Sequence, residues 1–199
     1  MIGNKKTLSI LSIFIAIAFL LFISGMNFYN RAIKYEEGVT KQWANVESAY
    51  QRRADLIPNL VETVKGYAKH ERETLEAVIK ARAEATQVKI DPSNITPEQL
   101  RQFQQAQNTL GGVLKSLLLT VERYPELKAD QHFKELQSQL ESTENRIKVE
   151  RDRFNQAVQI YNQHIRTFPN KMWANLFGFQ PKIYFQSQEG AEKAPEVKF

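Results

Sequence analysis

Arg52-Arg53-Ala54-Asp55-Leu56-Ile57-Pro58-Asn59-Leu60-Val61, running on through Val64-Lys65-Gly66-Tyr67-Ala68-Lys69-His70-Glu71, sets a proline and both signs of charge inside an apolar period of helical spacing. Proline removes one helical hydrogen bond and its ring crowds the carbonyl four residues back, so the stretch is either a junction between two helices or a kink in one. Upstream, Phe28, Ala32, Tyr35, Val39, Trp43, Val46 and Tyr50 recur three or four residues apart and mark one amphipathic face. That face continues through Ile57, Val61, Val64, Ala68, Leu75 and Val78 without losing phase at Pro58, which favours one kinked helix. Asp55 as N-cap, with Pro58 in a first turn where a missing N–H costs nothing, favours two. The second reading divides roughly 90 Å of helix into segments of about 40–45 Å, matching the next helix. Four helical segments are expected under either reading.

Thr7 to Asn30 is an uncharged run of 24 residues, rich from Leu8 to Ile23 in Leu, Ile, Phe and Ala. As helix it would measure roughly 36 Å, enough for a ~30 Å hydrocarbon core. The competing reading is a cleaved signal peptide with Lys5 and Lys6 as its basic region, but the small-residue cleavage spacing is missing and Phe28 and Tyr29 continue the segment. An anchor in the bilayer through residues 7–30 is therefore expected. Taking the short basic tail, residues 1–6, as cytoplasmic places the following domain outside, although Arg31, Lys34 and Lys41 reduce the charge bias.

Downstream, Asp91-Pro92-Ser93-Asn94 is loop chemistry, and Thr96-Pro97-Glu98-Gln99 is a capping box that opens a helix. Its face is Leu100, Phe103, Leu110, Leu114, Leu117 or Leu118, and Val121, interrupted by Gln107 and by Gly111-Gly112, where close packing or a bend is expected. Tyr124-Pro125 ends it. The last helix begins near Asp130 and carries Phe133, Leu136, Leu140, Ile147, Phe154, Val158, Tyr161, Ile165 and Phe168 at helical spacing. Its charged middle, Glu141 to Arg153, must either protrude or pair through side chains. The fold class expected is all-α: an antiparallel bundle of long helices behind one transmembrane helix. Residues 31–185 form the bundle with its C-terminal aromatic segment, and residues 186–199 a disordered tail.

The opening stretch resembles the hallmark motif of the LemA family. Tyr29-Asn30, Tyr161-Asn162, Phe168-Pro169 and Leu176-Phe177-Gly178-Phe179 carry the resemblance over nearly the whole chain. It implies a bacterial protein of the inner membrane with a single membrane segment, a long-helix bundle and no established catalytic activity. It also suggests a protein partner such as a membrane protease or a phosphatase-like protein.

The residues themselves offer no reaction. The chain has no cysteine, hence no disulfide, thiolate nucleophile or lipid-bearing cysteine. His70-Glu71 lacks the second histidine of a zinc-protease helix, since position 74 is threonine, and none of His70, His132 or His164 follows a glutamate at the di-iron spacing. No Gly-rich phosphate loop or nucleophile elbow is present. Metal and cofactor are expected to be none. Net charge is +5, but past Lys5 and Lys6 there remain 25 basic against 22 acidic side chains, alternating in sign, so a nucleic-acid footprint is not expected.

The candidate partner-binding residues are Arg52, Arg53, Asp55 and Asn59 beside Pro58, Trp173 in the aromatic segment, and Val197 and Phe199 at the terminus. The charges also serve as caps or pairs, and in Tyr29-Asn30 and Tyr161-Asn162 the tyrosine fills a core layer while its hydroxyl and the asparagine satisfy polar groups near helix ends. Around Trp173, covering a bundle end is the commoner use, with the membrane interface and a partner pocket as the others. Val197 and Phe199 stand at alternate positions before a free carboxylate, a pattern that PDZ-type domains capture. Three roles follow: an adaptor, a membrane-shaping protein binding through an amphipathic face, and an enzyme with perturbed titratable groups in a pocket.

Overall fold

The computed structural model describes residues 2–68 and 70–186. These are helical with no strand among them: α1 Ile2–Tyr67, α2 Arg72–Gln87, α3 Pro97–Val121, α4 Pro125–Ala129, α5 Gln131–Arg166 and α6 Asn170–Phe177. The chain divides into two compact units, Met1–Val39 with Ala157–Lys182, and Thr40–Gln156 with Ile183–Phe199. The expected tail from residue 187 onward, with Val197 and Phe199, lies outside the described residues.

In the larger unit, four long helical stretches alternate in direction. Arg82 on α2 reaches Ala54 on α1, Gln107 on α3 reaches Ala85 on α2, and Glu144 on α5 meets Arg53 on α1. Arg82 and Ala54 lie about equally far from the turn between α1 and α2, the mark of antiparallel neighbours. The expected apolar faces meet in the middle: Ile57, Leu60, Val64, Val78, Leu110 and Leu117 are all fully buried. Each such side chain contributes on the order of 1.5–3 kcal/mol relative to exposure. Leu117 rather than Leu118 holds the α3 core position.

Pro58 lies inside α1, which continues to Tyr67, so the chain runs through it as one helix rather than two and Asp55 is not an N-cap. Proline is tolerated because it stands on the exposed face and because the carbonyl it strands, that of Ala54, accepts from Arg82 Nε at 2.7 Å. The chain reverses instead at Ala68–Glu71. There Glu71 accepts from the Tyr124 hydroxyl and from Arg123, both at 2.9 Å, tying the turn to the far end of α3.

The α3 start is the expected capping box. Gln99 N–H donates to Thr96 Oγ1 at 3.2 Å and Thr96 N–H to Gln99 Oε1 at 3.1 Å. Gly111 packs near the Arg53 guanidinium, while Gly112 has open space around it. Asp130 caps α5 by accepting from Phe133 N–H at 2.8 Å and also accepts from the Tyr67 hydroxyl, and these bonds hold its carboxyl below the usual range.

In the smaller unit, α1 is uncovered from Ile10 to Phe22, where each residue is exposed. Cover begins at Gly25, against which the Trp173 ring packs, and continues as Phe28 stacks on His164 with ring centroids 5.0 Å apart. Val158, Tyr161 and Ile165 of α5 are buried, as is Ala32 of α1. Phe168, expected on that face, is 85% exposed because α5 stops at Arg166. Gly178 ends α6 with φ +78°, a left-handed conformation that glycine adopts without strain, and Phe179 N–H closes the turn on Ala174 O.

Candidate functional site

The stretch around Pro58 does not form one cluster. Helical geometry turns Arg53 inward and leaves Arg52, Asp55 and Asn59 exposed. Arg53 is only 3% exposed. Its Nη1 donates to Glu144 Oε1 at 2.6 Å, and its Nη2 donates to Gln107 Oε1 at 2.6 Å and to the Gln107 carbonyl at 3.1 Å. Gln107, which interrupts the α3 apolar face, uses its amide to donate to Ala85 O at 3.2 Å. The guanidinium also lies over the Tyr50 ring, 5.2 Å from its centroid, and Arg53 Nε has no hydrogen-bond partner. This arrangement joins α1, α2, α3 and α5 through one arginine, whose own side chain is buried. A buried ion pair is weak evidence for stability, since desolvation offsets much of the attraction, but its members are costly to leave unpaired.

A second buried polar layer was not legible beforehand. Glu150 is 2% exposed; Gln42 Nε2 donates to its Oε2 at 2.7 Å and Arg153 to its Oε1 at 3.0 Å. Arg146 lies 3.6 Å from the same oxygen. The charged middle of α5 therefore pairs rather than protrudes. Beside these layers, burial pushes the Tyr50 phenol up, with Arg151 and Arg53 pulling the other way.

Among the exposed candidates, Asp55 accepts from Gln51 Nε2 at 2.7 Å. Asn59 lines a polar groove with Thr63, His132, Glu135 and Gln139. A more apolar groove lies beyond it, walled by Val61, Lys65, Arg72, Leu75 and Ile79, with Ile79 52% exposed. No group of three or more His, Cys, Asp or Glu side chains placed to hold a metal occurs among the described residues.

The asparagine of Tyr161-Asn162 satisfies backbone polar groups, those of one residue in the segment that follows α6. Asn162 clasps Lys182 with both halves of its amide, donating to its carbonyl at 2.8 Å and accepting from its N–H at 2.8 Å. Tyr161 donates to Gln180 O at 3.0 Å, Lys182 Nζ lies over its ring, and burial with the nearby Glu36 charge pushes its phenol up to about 12. In the other unit, Asn155 clasps Phe185 in the same way, at 3.3 and 2.8 Å, seating that ring against Trp43 and Phe154. The sequence signal is an asparagine at a core-facing or half-buried helix position, in a helix followed later by a segment without helical periodicity. Trp173 sits in the smaller unit, its ring against Gly25 and Phe177.

A model of the LemA family matches residues 42–199. Magnetosome proteins MamQ 1 and MamQ 2 of Paramagnetospirillum magneticum are each 25% identical over 207 residues, covering 96% of this chain and 75% of theirs. Protein LemA of Metamycoplasma hominis is 21% identical over 164 residues, covering 80% of this chain and 69% of its own.

Proposed function

Because this chain belongs to the LemA family, we propose that it is a membrane-anchored helical bundle that works as a binding or scaffold protein and not as an enzyme. The observation that supports anchoring is the bare part of α1, where Phe14, Phe19, Leu20 and Phe22 are each more than 60% exposed. Water does not tolerate so continuous an apolar sleeve, whereas a bilayer does, and this is the single described helix long and apolar enough to cross one. The binding role rests on the exposed grooves beside Asn59 and Ile79 and on the absence of any catalytic motif in the sequence. The partner is a protein, of the membrane protease or phosphatase-like kind, rather than a nucleic acid. The bundle stands on the outer side of a bacterial cytoplasmic membrane, as the short basic tail favours.

Two measurements test this. A photo-crosslinker at Asn59 in native membranes should trap one defined protein that the same probe at exposed Lys115 does not; an identical pattern from both positions, or none, refutes the binding role. A cysteine at Lys115 should react with an impermeant thiol reagent in intact spheroplasts, and labelling only after lysis would reverse the orientation.

A further inference from the structure

We propose that α6 is a bilayer-interface helix, its outer stripe Phe168, Met172 and Leu176 seated in lipid beside the membrane segment. The inference rests on the anchoring reading above and extends it to a second, non-spanning contact with the same membrane. Met172 and Leu176 fall four residues apart within α6 and so line one side of the helix, and Phe168 stands exposed in the turn that leads into it. They are 85, 64 and 70% exposed, and nothing in their unit covers them. The opposite side is occupied: Ala174 is buried, and the Trp173 ring packs on Gly25, where an added Cβ would come within 3.2 Å of it.

That contact fixes the depth. Gly25 stands five residues before Asn30, where the uncharged run ends, so Trp173 meets α1 about 7.5 Å of helix inside that end. Interfacial helices bury their apolar faces roughly 5–10 Å into the boundary between headgroups and acyl chains, and tryptophan is enriched there. Trp173 and Phe177 also form, with Leu21, Phe22 and Met26, a groove lined by apolar side chains and continuous with the bare sleeve of α1. Its walls offer an acyl chain contact and offer a polar ligand nothing. Exposed Arg166 and Lys171 flank the stripe and can reach lipid phosphates. A lipid surface is therefore the occupant that suits both the outer stripe and the groove.

The chain has no cysteine, so a single one at Met172 can carry a polarity-sensitive fluorophore on the full-length protein in phosphatidylcholine–phosphatidylglycerol vesicles. A nitroxide near the top of the acyl chains should quench it several-fold more than a deep nitroxide or aqueous iodide does, and the same fluorophore at Leu176 should agree. A fluorophore at Ile15, in the bare segment, should be quenched best by the deep nitroxide. If iodide quenches at Met172 and Leu176 while Ile15 responds to lipid, the anchor stands and this inference falls. Shielding of Met172 from iodide and both nitroxides would mean that protein, a second copy or a partner, covers the stripe, and would also overturn it. If Ile15 too is open to iodide, the anchoring reading fails and takes the inference with it.

Discussion

Arg82 Nε donates at 2.7 Å to the carbonyl of Ala54, the acceptor that lies one helical turn before Pro58 and has no N–H there to receive. The side chain of one helix thus completes the backbone of another at its defect. Arg82→Met should destabilise the full-length protein in detergent by about 1–3 kcal/mol, the cost of leaving a buried carbonyl unsatisfied. Pro58→Ala restores the helical donor, so Arg82→Met should cost distinctly less in that background. Equal costs in both backgrounds, read by urea unfolding, would show that Arg82 and Pro58 are not coupled.

Arg53 and Glu144 make an asymmetric pair, with side chains 4 and 43% exposed. Removing the carboxylate strands a buried guanidinium, whereas removing the guanidinium leaves a carboxylate that can turn to water. Glu144→Ala should therefore cost about 1–3 kcal/mol, the cost of leaving a buried donor short of a partner, and Arg53→Met should cost less despite deleting the more buried group. The reverse order of unfolding midpoints would mean that packing and the Gln107 bonds outweigh the charge.

What could be read from the residues was the periodic part. The apolar face through Trp43, Ile57 and Val64 is buried as spaced, and Thr96, Pro97 and Gln99 start α3 as written, because period and capping are local properties of a short stretch. Pro58 was ambiguous for a non-local reason. Whether a helix survives a proline depends on which face carries it and on who satisfies the stranded carbonyl, and Arg82 comes from another helix 28 residues away. Arg53 reads as a candidate binding residue or a local cap or pair, because its partners, Gln107 and Glu144, are 54 and 91 residues distant. Trp173 was readable as an aromatic with an amphipathic role, but its place against Gly25 required the return of α6 to α1.

The Asn162 clasp predicts a local rather than global effect. Asn162→Leu keeps the size of the side chain but removes both bonds to the Lys182 backbone, worth about 1 kcal/mol each. Amide exchange at Lys182 should accelerate by roughly 10–30-fold, with the core of the other unit unchanged. Asn162→Asp, which keeps the acceptor for the Lys182 N–H and loses the donor, should fall between. If Asn162→Leu leaves Lys182 exchange at the native rate, the segment is held by something other than the amide.

Tyr161 predicts an alkaline limit. Its phenol is pushed up to about 12 in the folded protein, against about 10 in an unfolded chain, by burial first and by the Glu36 charge second. A raised folded value means that the native state holds its proton longer, so the contribution is fully present below pH about 10. Above that, the unfolded chain ionises first, and stability is lost as pH rises toward about 12. The phenolate could no longer donate to Gln180 O, which its hydroxyl reaches at 3.0 Å. The thermal midpoint of the native protein should therefore fall more steeply between pH 10 and 12 than that of Tyr161→Phe, which starts lower for want of one hydrogen bond. The raised Tyr50 phenol acts with the same sign in both proteins and leaves the difference intact. Parallel curves across that window would mean that Tyr161 ionises in the folded protein as readily as in the unfolded chain.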